Sequence, residues 1–411
     1  MKKKTKILVF IFLLVLAIRF YFTLSTPNFT GDQAYHTLSQ VKQISETGTP
    51  LFYDDLSYGG RFTTFHPLFY YILAFFNLFL PLNLVGKLIP NLFASTLVIL
   101  IYMISLEITQ RKNISLITAF IAGFIPLFFK QTINNISVYS LAIPLIFLSL
   151  FALMNINKSK NYVYLFLSSL ILLMLTHASS FLLILSLLIY LTLIKAINLH
   201  QSKLELELIL FSSFIVIWFL LILFKNAFLI HGYYTIWQNA PEKILSHYFF
   251  DINILEAIYA IGIIPFIFGI YIIYKYIFKK RKRAIYIFTG TTAASFFLIW
   301  FKLLKPSESL ILLGLSLVIL SSQYYKDFSV FILKTKIPHK KIYLFSLMVI
   351  LILTSFLPSL SYANKEISNA LTTQELEALN WIQENTPEDS TIISSYKEGH
   401  LITSISERKN F

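Results

Sequence analysis

Long apolar segments alternate with short polar loops along almost the whole chain. The first apolar segment is 7–26 and the last is 342–358. Segments of roughly 18 residues or more match a helix that crosses a bilayer, so the pattern predicts an all-α polytopic membrane protein. Between these two, the predicted spans are about 84–107, 113–130, 138–155, 161–176, 178–195, 206–225, 254–276, 284–303 and 307–324.

The apolar segment 67–81 is too short to be assigned by its length alone. About fifteen residues at about 1.5 Å each give roughly 22 Å, less than the roughly 30 Å of the hydrocarbon core. If this segment does not span, the basic run 279–283 falls on the same side as the N-terminal lysines, as expected for cytoplasmic loops. If it spans, that run faces outward.

The charge distribution therefore predicts about eleven transmembrane helices, with 67–81 as a juxtamembrane helix. It places the N-terminus in the cytoplasm and the C-terminus outside the cell membrane. A cleaved signal peptide is the alternative for the first segment, but its length and the lack of a small-residue cleavage site favour a retained span. The other basic residues of the predicted cytoplasmic loops are Arg111, Lys112, Lys158, Lys160, Lys195, Lys203, Lys326, Lys334, Lys336, Lys340 and Lys341.

The composition agrees with a membrane protein. Hydrophobic residues make up 56% of the 411-residue chain, charged residues only 13%, and the mean hydropathy is +0.70. A net charge of +14 would suit a nucleic-acid partner, but the basic residues lie in short loops as topology signals, so no nucleic-acid partner is predicted. The chain has no cysteine, which excludes disulfides and thiol chemistry.

The chain becomes polar after Pro358. We expect a membrane module at 1–358 and a short extracytoplasmic segment at 359–411, either naturally short or truncated. Residues 371–384 have the pattern of an amphipathic helix, with Thr372 or Thr373 as its cap and Glu375 in its first turn. A strand-like segment follows at 391–394.

The predicted outer loop 27–83 collects most of the polar side chains that chemistry would use. Asp32 follows the first span and is either the N-cap of an amphipathic helix or a general base. Asp54 and Asp55 either bind a divalent cation such as Mg²⁺ or Mn²⁺ or are solvated turn residues. Arg61 pairs either with a phosphate or with one of these acids.

Three histidines and two lysines extend the set of candidates. His66 donates to a phosphate or an acceptor hydroxyl, or has a structural role; His177, at the outer end of a span, is a site residue or an interhelical hydrogen-bonding group. Lys302 and Lys305 flank a short outer turn with Glu308 and either hold an anionic head group or extend toward water. Further possible site-lining residues are Tyr35, His36 and Tyr58.

Arg19 is costly inside the first span. It either extends toward the interface, pairs helices, or lies near a phosphate.

Several motifs of the outer loop resemble those of the membrane-embedded type C glycosyltransferases (GT-C), which include protein O-mannosyltransferases, lipid A aminoarabinose transferases and the oligosaccharyltransferase catalytic subunit. The motifs are 29–36 around Asp32, Gly48-Thr49-Pro50, Tyr58-Gly-Gly-Arg61 and the His66-Pro67 pair that opens 66–71. The resemblance implies a catalytic role for Asp32 and a place near the donor phosphate for His66. The loop cations Arg61 and Lys305 are expected to assist there.

The chain also departs from the family pattern. Gln33 stands where the family often has a second acidic residue, and the second outer loop, 130–135, carries no carboxylate. The Trp-Trp-Asp signature of oligosaccharyltransferases is absent, which argues against transfer of an oligosaccharide to asparagine.

Together these features predict an inverting hexosyl or pentosyl transferase of the cell envelope. It would move a sugar from a polyprenyl-phosphate donor, such as a dolichyl-phosphate sugar, to a protein, lipid or glycan acceptor on the outer face. The alternatives are a polymerase or ligase of lipid-linked glycans, a lipid or glycan transporter, and an inactive GT-C-like scaffold. A transporter would line a path with intramembrane charges, whereas here the charges concentrate in one outer loop.

Overall fold

The computed structural model describes residues 3–237, 253–303, 306–336, 338–395 and 398–411. The protein is all-α, as predicted, apart from four two-residue strands. The first half contains α1 (Lys3–Leu24), α2 (Asp32–Thr47), β1 (Tyr53–Asp54), β2 (Arg61–Phe62), α3 (Leu68–Asn77), α4 (Leu82–Thr109), α5 (Lys112–Gly123), α6 (Pro126–Thr132), α7 (Tyr139–Met154), α8 (Lys160–Thr176) and α9 (Ser180–Ala196).

The second half continues the helical bundle and ends in a small mixed segment. It contains α10 (Lys203–Leu223), α11 (Lys225–His231), a 3₁₀ helix (Gly232–Trp237), α12 (Ile254–Ile261), α13 (Ile263–Phe278), α14 (Arg283–Trp300), α15 (Pro306–Lys334), α16 (Lys340–Ser368), α17 (Thr373–Asn385), β3 (Thr391–Ile392), α18 (Gly399–Leu401), a π turn (Ile402–Ser406) and β4 (Lys409–Asn410).

Each of the eleven predicted spans coincides with a helix or with a bent pair of helices. Within the described residues, five helices are long and apolar enough to cross a membrane: α1, α4, α10, α15 and α16. The count rises to seven if each of two bent pairs is one span; α5 and α6 meet at 45°, and α12 and α13 at 91°. These long apolar helices support an integral membrane protein. The predicted count of eleven spans is not confirmed.

The short helix α3 lies within 67–81, and the juxtamembrane position of this segment stays a prediction. Its ten residues rise only about 15 Å, half of the hydrocarbon core. It packs on α2 through a buried apolar cluster that includes Val41, Ile44, Phe69 and Leu73. The two helices therefore form one layer that carries the polar loop.

Close helix contacts in the bundle depend on small residues. A Cβ atom on Gly290 of α14 would lie 2.7 Å from the carbonyl oxygen of Ser186 in α9. A Cβ atom on Gly269 of α13 would lie 2.9 Å from the carbonyl oxygen of Leu317 in α15. Any larger residue would push these pairs apart, which is the usual role of glycine between membrane helices.

The last long helix extends further than the sequence predicted. We expected it to end at 358, but α16 continues through Pro358 to Ser368. Two of its serines, Ser355 and Ser359, donate hydrogen bonds of 2.5 and 2.7 Å to the carbonyl of Phe124, at the break between α5 and α6. Backbone groups freed by a bend inside a membrane need such partners, so the serines and the bend stabilise each other.

Arg19 pairs helices rather than reaching water. Its side chain is fully buried and donates to Asn91 of α4 at 3.2 Å and to Thr132 of α6 at 3.0 Å. Its guanidinium also lies 4.3 Å from the centre of the Phe129 ring. This confirms the helix-pairing interpretation of this residue.

Contacts between loops show which segments lie at each end of the bundle. At one end Lys4 contacts Asn113, and Lys282 donates to the carbonyl of Ile108. At the other end Asn410 donates to the carbonyl of Leu56 at 2.8 Å. The predicted cytoplasmic loops around 108–113 and 279–283 therefore share one end with the N-terminus, and the predicted outer loop shares the other with the C-terminal segment. The absolute orientation stays a prediction.

The C-terminal segment contains the predicted amphipathic helix. Thr372 is the N-cap of α17, and its hydroxyl and backbone N–H exchange hydrogen bonds with Glu375 in a capping box. The predicted strand appears as β3, which pairs in parallel with β4.

Single cysteines test the topology directly, because the chain has none of its own. We expect Asp55→Cys and Asn83→Cys, on either side of α3, to react with a membrane-impermeant maleimide in intact cells. Lys280→Cys should react only after lysis. Labelling of Lys280→Cys in intact cells would invert the topology, and protection of Asn83→Cys alone would make α3 a span. The cysteine-free parent is the control for background.

Candidate active site

Asp32 is the first residue of α2 but does not cap it. Gly31, with φ +82°, occupies the N-cap position, and no side chain caps the helix. The Asp32 carboxylate turns instead toward the C-terminal segment, where its Oδ1 accepts a hydrogen bond of 2.8 Å from the backbone N–H of Leu401. The N-cap interpretation of Asp32 is therefore wrong, because the carboxylate is used in a tertiary contact.

Different groups around Asp32 shift the pKa of its carboxyl in opposite directions. Its side chain is 18% exposed, and Nε2 of His400 lies 3.9 Å from its Oδ2. Burial raises the pKa of the Asp32 carboxyl above its ordinary value, although the charge of His400 and the backbone N–H groups of Leu401 and His400 oppose the rise. The result is a partly buried carboxylate with a raised pKa, which makes it a stronger base than an exposed one.

His36 lies one helical turn after Asp32 and joins the same group. Its ring centre is 4.5 Å from that of His400. Burial, with the positive charges of His400 and Arg61, lowers the pKa of His36 to about 4. His36 is therefore neutral at physiological pH and packs as an aromatic ring beside the carboxylate.

The segment before Asp32 is fixed by one buried amide. The side chain of Asn134 donates to the carbonyl of Asn28 at 3.0 Å and to the Thr30 hydroxyl at 2.9 Å. The Thr30 hydroxyl in turn donates to the carbonyl of Glu366 at 2.8 Å. Three distant parts of the chain thereby set where α2 begins and where the carboxylate stands.

A cavity of about 340 Å³ opens next to the residues that follow Asp32. Its wall is about equally polar and apolar, and it comes mainly from the start of α2, from α3, from the segment between α6 and α7, and from the start of α15. The lining residues are Gln33, Ala34, Tyr70, Gln131, Asn135, Ile136, Ser137, Val138, Tyr139, His177, Ser307 and Glu308. Its size suits a sugar or a short acceptor segment.

A hydrogen-bonded group of three side chains forms one wall of this cavity. The Tyr139 hydroxyl donates to Glu308, and Nε2 of His177 lies 3.5 Å from the same hydroxyl. The Nδ1 atom of His177 accepts from the backbone N–H of Ser179 at 3.0 Å, which leaves the proton of a neutral ring on Nε2. His177 can therefore donate to Tyr139 while Tyr139 donates to Glu308, and Glu308 provides the cavity wall with a carboxylate.

His66 lies behind this group in an aromatic pocket. It is buried, and its ring centre lies 6.3 Å from that of His177 and about as close to Phe219 and Phe224. Its Nδ1 is 2.6 Å from the carbonyl of Met174, so Nδ1 carries a proton, whereas Nε2 has no hydrogen-bond partner among the described residues. Burial, with the charge of His177, lowers the pKa of His66 to about 4.

Four predicted candidates of the loop lie apart from this cavity. Asp54 Oδ1 accepts from the backbone N–H of Leu56 at 3.1 Å, as a turn residue does, and Asp55 is exposed. Arg61 lies exposed in β2, where its backbone is in register with that of Asp54 on β1. Tyr58 packs its ring on Phe411 at 5.0 Å. These loop residues therefore do not form one cluster with the residues that line the cavity.

Two further candidates have other positions. Tyr35 is buried against Phe29, with ring centres 6.4 Å apart, and does not line the cavity. Lys305 lies outside the described residues.

Over residues 3–237, 253–303, 306–336, 338–395 and 398–411, no group of three or more His, Asp or Glu side chains is arranged to hold a metal ion.

Sequence reasoning missed two of the residues that the fold brings together here, Tyr139 and His400. It named Glu308 but did not place it in the candidate site. Glu308 carried a signal, since an acidic residue two positions into a predicted span is costly unless it faces protein or water. His400 carried none, because it is 368 positions from Asp32 in a segment without a catalytic motif.

Comparison with solved structures identifies the fold. The oligosaccharyltransferase of Archaeoglobus fulgidus in its apo form matches 99% of this chain with a TM-score of 0.75 and 14% sequence identity. The complex of the archaeal oligosaccharyltransferase AglB from the same organism with an inhibitory peptide and a dolichol-phosphate matches 97% of the chain with a TM-score of 0.66 and 14% identity. This chain covers 64% of the length of both of those structures.

A second enzyme has the same architecture. ArnT from Cupriavidus metallidurans bound to undecaprenyl phosphate matches 98% of this chain, which covers 85% of ArnT, with a TM-score of 0.56 and 11% identity. These neighbours are GT-C glycosyltransferases, so the protein has the GT-C fold that the loop motifs predicted. No family model matches the sequence. No curated protein matches it either.

The buried His66 makes stability depend on pH. An unfolded chain protonates this histidine near pH 6.5, whereas the folded protein resists until about pH 4. Stability should therefore be constant above pH 6.5 and fall as the pH drops toward 4, by about 3 kcal/mol for a shift of this size.

The measurement is the thermal unfolding midpoint in detergent between pH 7.5 and 4. The fall should be clearly smaller in His66→Gln and unchanged in His200→Gln, whose histidine is exposed. Equal slopes in all three proteins would mean that His66 titrates normally in the folded state.

Proposed function

We propose that this protein is a membrane glycosyltransferase that moves a sugar from a polyprenyl-phosphate donor to an acceptor hydroxyl at the outer membrane face. The observation that carries the proposal is the partly buried Asp32 carboxylate in a GT-C fold, directly before Gln33 and Ala34, which line a cavity. The bound lipids of the structural neighbours, dolichol-phosphate and undecaprenyl phosphate, support a donor of this class. The membrane module would comprise 1–358 and the outer segment 359–411.

In the proposed step Asp32 is the general base. The acceptor hydroxyl gives its proton to the carboxylate while its oxygen attacks the anomeric carbon of the donor. The bond between that carbon and the phosphate oxygen breaks on the opposite side, and the polyprenyl phosphate leaves with the electron pair. The new glycosidic bond has inverted configuration.

The leaving phosphate needs positive charge. Arg61, His66 and Lys305 are the proposed partners, and His66 imposes a condition. In its neutral form Nδ1–H is committed to Met174, so Nε2 offers only a lone pair. A phosphate would bind there only with uptake of a proton by the ring, so binding through His66 should weaken as the pH rises.

The acceptor is proposed to occupy the cavity between Gln33 and Glu308. Glu308, held by Tyr139, accepts hydrogen bonds and favours an acceptor with hydroxyl or amine donors. Gln33 supplies both a donor and an acceptor at the opposite wall.

Replacing Asp32 by Asn tests the base. The amide oxygen of Asn can still accept from Leu401, so the fold should persist while proton abstraction is lost. We expect turnover to fall by about 100-fold or more, the usual size of a general-base contribution. The assay is sugar release from radiolabelled polyprenyl-phosphate sugars by purified protein in detergent, with Asp55→Asn as the matched, exposed control.

Three outcomes separate the alternatives. Loss in Asp32→Asn with normal turnover in Asp55→Asn supports the base. Near-normal turnover in Asp32→Asn moves the catalytic carboxylate, with Glu308 next in line. No release by folded wild-type protein across a broad donor panel favours the scaffold or transporter hypothesis instead.

His400→Gln tests the contribution of the C-terminal segment to the base. Removing the charge of His400 takes away one of the effects that lower the pKa of Asp32, so the acidic limb of the pH–activity profile should move to higher pH. A loss of activity with an unchanged profile would assign His400 a purely structural role. His200→Gln, at an exposed position near the other end of the bundle, serves as the control.

A further inference from the structure

Four uncharged hydrogen-bonding side chains converge on the cavity next to the start of α2. Gln33 of α2, Gln131 of α6 and Asn135 after α6 each carry a carboxamide, and Tyr70 of α3 carries a phenol. None of the three carboxamides makes a side-chain hydrogen bond with another described residue. These four side chains, the polar set, are therefore available to a ligand in the cavity.

The phenol of Tyr70 gives the clearest sign of a ligand. Its side chain is only 5% exposed, and its ring packs on Phe65 and Phe69 with ring centres 5.2 and 6.1 Å away. The residue lines the cavity, and its hydroxyl has no hydrogen-bond partner in the part of the chain that the structure describes. A hydroxyl buried without a partner is costly, so it points to a group that enters the cavity.

The polar set adjoins the turn that carries the proposed base. Gln33 directly follows Asp32 in α2. Asn135 lies close to the same turn, since a Cβ atom on Gly31 would be 3.3 Å from its Oδ1. A ligand held by Gln33 and Asn135 is therefore bound at the start of α2.

The chemistry of the polar set matches sugar hydroxyls. A carboxamide places an acceptor oxygen beside a donor NH₂ group, so it can pair with two neighbouring hydroxyls, and a phenol donates and accepts as well. Phosphate and carboxylate groups favour guanidinium or ammonium partners instead. A serine or threonine peptide presents one hydroxyl, and its backbone groups follow only at about 3.5 Å per residue. Several uncharged groups around about 340 Å³ therefore favour a sugar ring over a peptide.

We infer that the polar set binds a neutral sugar residue of the acceptor, so that the protein extends a glycan. This inference rests on the proposed function and names its acceptor class. The reacting hydroxyl is the one nearest Asp32, and the hydroxyls beside it on the ring are bound by Gln33, Asn135 and Tyr70. These three residues determine acceptor specificity, while the bonds that form and break are those of the proposed transfer.

Binding is measured first without donor, by saturation-transfer NMR on the full-length protein in detergent. The probes are the methyl glycosides of glucose, galactose and mannose and a blocked Ala-Thr-Ala peptide. We expect at least one glycoside to bind and the peptide not to bind. Tyr70→Phe and Gln33→Met should each weaken glycoside binding by about three- to tenfold, the usual size of one hydrogen bond.

The matched controls are Tyr71→Phe and Gln43→Met, on the same two helices. Neither residue lines the cavity, since the Tyr71 hydroxyl donates to the carbonyl of Gly48 and the Gln43 amide to Thr47. Both controls should bind like wild type, and equal weakening in controls and targets would overturn the site. Binding of the peptide in place of the glycosides would make the acceptor a protein. Failure of every probe with folded protein would leave the polar set to water, and either result would overturn the inference.

Turnover then separates the acceptor sugar from the donor sugar. With radiolabelled polyprenyl-phosphate sugar as donor, Tyr70→Phe and Gln33→Met should raise KM for the glycoside acceptor and not KM for the donor. A raised donor KM instead would place the donor sugar on the polar set and overturn the acceptor assignment. Glycoside binding that depends on the polar set, without transfer from any donor, would contradict the proposed function and leave the sugar site standing.

Discussion

The hydrogen bond from the backbone of Leu401 to the Asp32 carboxylate joins residues 369 positions apart, and the candidate site depends on it. It determines which way the carboxylate points, because the Asp32 side chain makes no capping hydrogen bond with α2. It also brings His400 beside Asp32 and His36. The C-terminal segment thus contributes contacts to the candidate site.

The position of α2 depends in turn on the buried amide of Asn134. Its hydrogen bonds to Asn28 and Thr30 hold the chain between the first helix and α2 against the segment before α7. An unpaired polar group at that depth would be costly, so the contact is specific as well as stabilising. It links the carboxylate to the cavity wall, since Asn135 lines that cavity.

The bilayer also makes unpaired polar groups costly in the rest of the bundle. Every bend in a membrane helix frees backbone groups, and side chains of neighbouring helices bind them, as Ser355 and Ser359 do at Phe124. Arg19 is stabilised by Asn91, Thr132 and the ring of Phe129 rather than by solvent. The side chains of Arg19, Ser355 and Ser359 are therefore used in interhelical contacts.

The sequence by itself determined the membrane class, the approximate position of each long apolar helix and a resemblance of the loop motifs around Asp32 to those of GT-C glycosyltransferases. It could do so because hydrophobic length, charge bias and capping residues are local properties. The tertiary structure alone decided that Asp32 faces Leu401, that Tyr139, His177 and Glu308 form one wall of a cavity, and that Arg61, Asp54 and Tyr58 lie away from it. These contacts join distant parts of the chain, so no local pattern reports them. The boundary predicted at Pro358 was wrong for the same reason, since α16 continues through it to Ser368 and packs against α6, which is distant in sequence.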